Sequence, residues 1–512
     1  MRVLLRCDGG PRIGVGHVVR SLALAQEALD RGHSVALLGQ VDGPLLQSLT
    51  GGTDGLVLLG AAHPGDRFGD EALAYDVVHV DHYDLGVDVL DDLSSCARRA
   101  GGRRALLSTM ADGRFGARPA DLLVDPTLGA EHDTPPQPAR WHLRGSRFTP
   151  VRRAVTQAAA AAPGDPAEPT GATPRPDRSL SVLVVMGGTD PSGCAPLVVE
   201  ALGRLDLLLH VTVVSAPGTA EALAGLAATW TRGRLEVTPP VADLPARMAQ
   251  ADVVVTAAGT STWELCALRR PMALVAVVDN QRAGHDRVVA AGAAVGLGGT
   301  ADLADVEATA DRLRPLLIDT ALRDRLAGAA HRIVDGRAAW RVVSAWEAAR
   351  TASAPRVDGP VVTVRAATLD DATTLLEWRN DPVTRAVSRQ HDVVARPDHV
   401  AWLKAGLTRA DRHLLVGSID GVDVGTVRWD LEAPGEWEVS ITVAPRARGL
   451  GVAGALLRAA EQWLAGATDV GARLAVVHTK NEPSRRLFLT GGYVPDLPAD
   501  EQGFERWVRT VR

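Results

Sequence analysis

The tetrapeptide Gly14-Val15-Gly16-His17 puts a histidine directly behind a Gly-x-Gly turn. It follows a short apolar run, Val3–Cys7, and opens a helical pattern in Val18, Leu22, Ala25 and Leu29. Glycines here allow a sharp turn and a close approach of the backbone to a ligand. The first free amides of such a helix favour an anion such as a phosphate, and an imidazole beside them can exchange a proton near neutral pH. A dinucleotide-binding fingerprint is the plainer reading, but its third glycine is Val19 in this chain.

Similar chemistry recurs at later strand ends. "VVHVDHYDLG" ends a strand on Asp81, followed by His82 and Tyr83. A carboxylate there either orients an imidazole or a bound sugar, or caps the next turn. "VVMGGTDPSG" repeats the strand-to-glycine step at Gly187 and Gly188. "TAAGTSTWE" offers amides and hydroxyls from Gly259, Thr260, Ser261 and Thr262 to a diphosphate at a helix start, with Glu264 placed to hold a ribose diol. "DNQRAGHD" supplies Asn280 and Gln281 for sugar hydroxyls. Each stretch has its own explanation in turn chemistry, which does not easily account for their joint occurrence at successive strand ends.

A second chemical unit lies towards the C-terminus. "EWEVSITVAPRARGLGVAGALL" alternates Trp437, Val439, Ile441 and Val443 with Glu436, Glu438, Ser440 and Thr442. The strand feeds a loop of Arg446, Arg448, Gly449, Leu450 and Gly451 and then a helix opening on Val452 and Ala453. Successive amides at that helix start make an anion cradle with two flanking arginines.

Positioning these groups needs several domains, and 512 residues are too many for one ordinary core. Apolar runs at Val35–Leu38, Val77–Val80, Ala105–Leu107 and Leu122–Val124 alternate with helical stretches. A second series follows at Val182–Met186, Val211–Val214, Val253–Val255 and Met272–Val278. This pattern predicts two doubly wound α/β domains with parallel sheets and a ligand cleft between them. The expected boundaries are 1–156 and 179–350, joined by the Pro-, Ala- and Gly-rich stretch 157–178. A second break at 351–360 precedes a tryptophan-rich α+β domain over 361–512, expected to be independent of the first two.

A net charge of −6 and a pI near 6.2 argue against nucleic-acid or anionic-membrane partners. No apolar run reaches the length of a membrane span, and the N-terminus lacks a signal pattern, so a soluble cytoplasmic protein is expected. Cys7, Cys96, Cys194 and Cys266 are scattered without zinc or disulfide spacing and read as reduced core residues. Lysine occurs only at 404 and 480, so residues 1–350 hold none for a Walker-type loop or a Schiff base.

Residues 1–345, through "RCDGGPRIGVGHVVRSLALA", "VDHYDLG", "MGGTDPSG", "AAGTSTWELCAL" and "DNQ", resemble the UDP-sugar hydrolases of pseudaminic acid biosynthesis. That family is similar in fold to GT-B glycosyltransferases. The resemblance implies metal-free, inverting release of UDP from UDP-2,4-diacetamido-2,4,6-trideoxy-β-L-altropyranose. It makes His17 the catalytic histidine, with Thr260–Thr262, Glu264, Asn280 and Gln281 at the nucleotide sugar. Departures are the long linker and "LRGSRFTPVRR" at 143–153.

Residues 361–512 resemble the GNAT acetyltransferases, whose pyrophosphate loop matches Arg446–Gly451 and whose cofactor-side Asn-x-x-Ser matches Asn481 and Ser484. This implies acetyl-CoA as co-substrate, held by Val443, Arg446, Arg448, Gly449, Leu450, Gly451, Val452, Ala453, Asn481 and Ser484. Phe488 stands where many relatives carry a general-acid tyrosine, and Tyr493 lies five residues later. Glu438 is the expected base, with Glu436 a close second. Together the resemblances suggest a bifunctional enzyme that N-acetylates a UDP-4-amino sugar and then removes UDP. The alternative is a GT-B glycosyltransferase fused to a protein N-acetyltransferase or an acetyl-CoA-sensing module.

Overall fold

A computed structural model of the chain describes every residue except 11–15, 42–53, 61–74, 83–84, 86–103, 112–118, 134–138, 162–178, 188–189, 191, 216, 242, 352–359 and 511–512. Gly14, Tyr83 and Gly188 of the expected site, Cys96, and most of both linkers lie outside the described residues.

The first sheet contains β1 (Arg2–Cys7), β2 (Ser34–Gly39), β3 (Leu56–Gly60), β4 (Val77–Asp81), β5 (Leu106–Met110), β6 (Leu122–Asp125) and β7 (Trp141–Arg144). It is parallel throughout, in the order β3-β2-β1-β4-β5-β6-β7. The order reverses at β1, which opens a crevice at the C-terminal ends of β1 and β4. Helix α1 (Gly16–Asp30) follows β1 and buries Val18, Leu22 and Ala25. Gly39 allows β2 to pass close to β1, since a Cβ there would sit 1.7 Å from the Cys7 carbonyl oxygen.

After α2 (Arg153–Ala161) comes a second parallel sheet of β8 (Leu180–Val185), β9 (Leu209–Val214), β10 (Gly233–Thr238), β11 (Val253–Ala257), β12 (Met272–Ala276) and β13 (Val295–Gly299). Its order, β10-β9-β8-β11-β12-β13, repeats the reversal of the first. Helix α3 (Thr260–Ala267) follows β11, and α4 (Asp279–Ala290) follows β12. The expected linker is shorter than its composition suggested, because α2 continues through residue 161.

Helix α5 (Ala338–Thr351) follows the second lobe in sequence but packs on the first. Its Trp346 is fully buried and donates from Nε1 to Ser108 Oγ on β5 at 3.0 Å. Its Glu347 pairs with Arg31, just past α1, at 2.8 Å. The expected unit 179–350 thus gives its last helix to its neighbour.

The third sheet holds β14 (Thr363–Ala366), β15 (Arg412–Ile419), β16 (Val422–Ala433), β17 (Glu436–Val443), β18 (Ala472–His478), β19 (Val494–Leu497) and β20 (Phe504–Thr510). The order is β14-β15-β16-β17-β18-β20-β19, antiparallel except between β17 and β18. Helices α6 (Val452–Ala467) and α7 (Glu482–Thr490) belong to this domain.

This domain is not free of the others. Trp141 on β7 donates to the Leu489 carbonyl at 3.3 Å, and Arg147 meets Glu436 at 3.2 Å. The buried Arg341 of α5 donates from Nε to Asp496 Oδ1 at 2.8 Å. Its other nitrogens hold the Asp335 carboxylate, at 2.7 and 2.6 Å, and the Arg147 carbonyl, at 2.8 Å. One guanidinium therefore joins both lobes of the first unit to the third domain. Residues 361–512 were expected to be independent of the first two domains, and these contacts join them.

Candidate active sites

His17 is buried at the start of α1, with Nδ1 2.7 Å from Asp81 Oδ1 at the end of β4. Arg20, one turn further along α1, forks onto the same carboxylate, Nε to Oδ2 at 2.9 Å and Nη2 to Oδ1 at 2.8 Å. Helical spacing puts residues 17 and 20 on one face, so a single strand-end aspartate meets both. Burial alone would push the Asp81 carboxyl up. The Arg20 charge and the His17 hydrogen bond outweigh it and hold Asp81 well below the usual carboxylate range. An ionised acceptor at this distance requires the proton of neutral imidazole on Nδ1, which puts the basic lone pair on Nε2. Of the two readings of Asp81, the geometry realises the one in which it orients an imidazole.

A second trio lies beside the first. Asp8, just past β1, accepts from the Gln40 amide at 2.8 Å, lies 2.6 Å from His82 Nε2, and pairs with Arg6. Burial again works against ionisation, and His82, Arg6 and the Gln40 amide overcome it.

The second lobe faces this point. A Cβ built on Gly16 would lie 3.7 Å from Thr260 Oγ1, so the N-termini of α1 and α3 meet across the cleft. Their free amides and dipoles converge where a diphosphate would be favoured. Thr260 and Ser261 are partly exposed there, whereas the Thr262 hydroxyl is buried on the inner face of α3. Its oxygen has no hydrogen-bond partner among the described residues. Gly187 turns the chain after β8 with φ +81°. Gln281 lies near Gly259, with Nε2 3.4 Å from a Cβ built there, and its Oε1 accepts from the Val277 amide at 3.0 Å. Asn280 is exposed at the start of α4.

Glu264 departs from expectation. Its carboxylate is buried and held in a fork by Arg152, Nε to Oε1 at 2.7 Å and Nη2 to Oε2 at 2.9 Å. Both oxygens that a ribose diol would use are thus engaged by the segment leading into α2. Neither Arg152 nor Arg20 was expected from sequence. The signal for Arg20 was available in its three-residue spacing from His17, whereas nothing local ties Arg152 to a residue 112 positions away.

In the third domain, β17 pairs with β18 only from Glu436–Val439 onto Ala472–Ala475. Past this point the strands part, leaving backbone groups of Ser440–Val443 facing the gap. The loop that follows turns on Gly449 and Gly451, both at φ +77°, a left-handed conformation that favours glycine. Leu450 between them is exposed, Val452 is buried, and Ala453 lies in the first turn of α6. The two arginines hold protein partners: Arg446 donates to the Asp423 carbonyl at 3.1 Å, and Arg448 pairs with Asp381 at 2.7 Å. The cradle is therefore chiefly one of amides. Asn481 caps α7 by accepting from the Ser484 amide at 3.2 Å.

Glu438 is half-buried on β17, opposite Asp430. Burial pushes its carboxyl up, Glu432 acts in the same direction, and Arg428 opposes them. Such a shift suits a general base. Glu436 instead faces Arg147 of the first unit. Tyr493 is fully buried, donates to Glu461 Oε1 at 2.9 Å and packs edge-on against Phe488 at 5.1 Å. It belongs to the core and not to the strand gap.

Cys7, Cys194 and Cys266 are buried free thiols, pushed by burial to about 12, 11 and 12. Among the described residues no cluster of three or more His, Cys, Asp or Glu side chains is placed to hold a metal ion. No helix among them is long and apolar enough to cross a membrane.

These features define two Rossmann-type domains with parallel sheets, followed by an α+β domain with a mixed sheet. Residues 362–494 match the family model Acetyltransf_3, acetyltransferase (GNAT) domain. Over 205 residues the chain is 32% identical to the UDP-N-acetylglucosamine–N-acetylmuramyl-(pentapeptide) pyrophosphoryl-undecaprenol N-acetylglucosamine transferase of Rhodopseudomonas palustris. That match covers 38% of this chain and 53% of the relative, so the chain spans about half the length of the curated relative it matches. The crystal structure of MurG from Acinetobacter baumannii is 16% identical, covers 68% of this chain and 99% of that one, and superposes with a TM-score of 0.48. The aminoglycoside acetyltransferase AAC(6')-Ib in complex with coenzyme A is 18% identical, covers 29% of this chain and 94% of that one, and gives a TM-score of 0.27.

Proposed function

We propose that the chain is a bifunctional nucleotide-sugar enzyme. In this reading the first unit cleaves the anomeric C–O bond of a UDP-linked diacetamido sugar, and the third domain acetylates the amine of its precursor. The observation that carries it is the His17–Asp81 pair held at the meeting point of two helix N-termini. His17 Nε2 takes a proton from water as the water oxygen bonds to the anomeric carbon. The carbon–oxygen bond to the diphosphate breaks, and UDP leaves with its electrons, its charge met by the amides at Gly259–Ser261 and at the start of α1. In the third domain, Glu438 takes one proton from the substrate ammonium, and the freed amine bonds to the thioester carbonyl carbon. The carbon–sulfur bond breaks, and coenzyme A leaves as a thiolate that takes up the proton the acylated nitrogen loses. UDP-2,4-diacetamido-2,4,6-trideoxy-β-L-altropyranose is the proposed substrate of the first step because the motifs of residues 1–345 resemble the hydrolases that act on it. No bound metal is needed for this step, and no part of it requires a membrane or a nucleic acid.

A second reading is favoured by the curated relative, whose printed activity is N-acetylglucosamine transfer. There the oxygen nucleophile is an acceptor hydroxyl in place of water, and His17 acts on it in the same way. Incubation of the full chain with UDP-4-amino and UDP-4-acetamido sugars in ¹⁸O-water, with and without acetyl-CoA, separates the two. Label at the anomeric oxygen of the freed sugar supports hydrolysis. Absence of UDP release until an acceptor is added supports transfer, and absence under both conditions overturns both readings.

A further inference from the structure

We infer that Arg458 and Gly454 on α6 form a subsite for the ribose 3′-phosphate of coenzyme A, so that the third domain distinguishes the cofactor from its dephospho form. The inference rests on the reading of this domain as an acetyltransferase that uses acetyl-CoA. That cofactor carries two separate anions, a diphosphate and a ribose 3′-phosphate. The amides after Gly449 and the N-terminus of α6 suit the diphosphate. Both loop arginines are turned to protein groups, Arg446 to the Asp423 carbonyl and Arg448 to Asp381. The second anion therefore needs a partner from elsewhere.

Arg458 is exposed on α6 and makes no hydrogen bond or ion pair among the described residues. Glu461, the only carboxylate of α6, is turned to the interior, where it accepts from Tyr493 at 2.9 Å and from Arg509 at 2.7 Å. Long side chains on a helix lean back towards its N-terminus. Arg458 does so far enough that its Nη1 lies 3.5 Å from a Cβ built on Gly454. An uncommitted guanidinium is thus held over the first turn of α6, beside the amides that suit the diphosphate.

Gly454 is the second observation. Its backbone is not left-handed, and within 4 Å a Cβ there would meet only the tip of Arg458. Glycine inside a helix lowers stability relative to alanine, and nothing in the packing requires it here. The missing side chain leaves open the outer face of the first turn, between the loop and Arg458. Gly449 and Gly451 likewise meet no atom within 4 Å. The way from the diphosphate amides to the Arg458 guanidinium is uncovered.

The test is calorimetric titration of the full chain with coenzyme A and with 3′-dephospho-coenzyme A, using Gly451→Val to measure binding elsewhere on the chain. Wild type should bind coenzyme A at least about fivefold more tightly than the dephospho form, the order of one exposed ion pair. In Arg458→Gln the preference should shrink to within about twofold, while affinity for the dephospho form stays within about twofold of wild type. Gly454→Glu places a carboxylate one turn before Arg458, which should occupy the guanidinium, erase the preference and leave the melting temperature no lower. A preference that survives in Arg458→Gln overturns the inference, as does an equal loss for both ligands, which would assign Arg458 to the diphosphate. So does a preference that disappears in Arg446→Gln, Lys480→Gln or Arg486→Gln but not in Arg458→Gln. These outcomes leave the acetyl-CoA reading standing, whereas a wild-type chain that binds neither ligand overturns that reading and the subsite together.

Discussion

In the proposed reaction His17 is the base, and Asp81 is the neighbour that fixes which nitrogen carries its proton. Replacing His17 by Gln should cut UDP release by at least about 10²-fold, the lower range for a positioned base. UDP should still bind within about tenfold, since a base acts on the transition state more than on the ground state. Rate measurement and UDP titration on the same folded variant check this, and near-normal release would remove His17 from the chemistry. Glu264 belongs at the same scale but carries a different expectation. Removing its carboxylate strands Arg152, whose side chain is only 18% exposed. Glu264→Ala should therefore lower stability by about 3 kcal/mol, the low end for breaking a buried pair, because Arg152 keeps some water contact. Chemical denaturation measures it, and a change under about 0.5 kcal/mol would mean that the pair is not maintained in solution.

The loop Arg446–Gly451, which in the proposed function holds the pyrophosphate, works as an element, since its amides point together only while two glycines hold left-handed backbone. A Cβ on Gly451 would meet no atom within 4 Å, so the cost of substitution is conformational and not steric. Left-handed backbone costs an ordinary residue about 1–2 kcal/mol, and a β-branched residue tolerates it least. Gly451→Val should weaken acetyl-CoA binding at least tenfold by calorimetry while UDP release from an acetylated substrate continues. Unchanged binding would detach the cofactor from this loop. The same reasoning applies to α1 and α3 in the proposed reaction: each offers amides, and their approach at Gly16 and Thr260 would let them share one anion.

For the whole molecule, Arg341 is the joint. It touches Asp335 of the second lobe, Arg147 of the first and Asp496 of the third domain. Arg341→Ala leaves Asp496 buried with only Arg506 and the more distant Arg147 to match its charge, and should destabilise the chain by about 3–5 kcal/mol. Limited proteolysis should then cut near residues 352–359, and intact protein at that junction would show that the docking does not depend on this pair. Docking should also respond to acid. Burial pushes the Asp496 carboxyl up, but Arg341, Arg147 and Arg506 together hold it below the ordinary range. A lowered native value means that its stabilisation is complete above the unfolded value, about 4, and is lost as pH falls through the native one. Domain separation, read by scattering, is expected only below about pH 4. Dissociation between pH 6 and 8 would contradict it.

Apolar runs long enough to be buried on both faces were legible directly, so β1, β2, β4, β5, β6, β8, β9, β11 and β12 were all expected from sequence. In the two lobes, four strands were not. β3 is largely exposed, β7 is short, β10 alternates polar residues at an edge, and β13 is Val-Gly-Leu-Gly-Gly. Their pairing comes from the neighbouring strand more than from their own composition. Site glycines, the histidine and the strand-end aspartate were also legible, because turn geometry and helix starts depend on adjacent residues. Charge pairing was not. Arg20 with Asp81, Arg152 with Glu264 and Arg341 with Asp496 span 61, 112 and 155 positions. The sequence by itself determined which segments form strands and which loops carry polar chemistry, since both follow from local periodicity and backbone freedom. Only the tertiary structure decided which carboxylates are already taken, which lobe owns α5, and that the third domain is docked, because a buried charge finds its partner through folding and not through proximity along the chain.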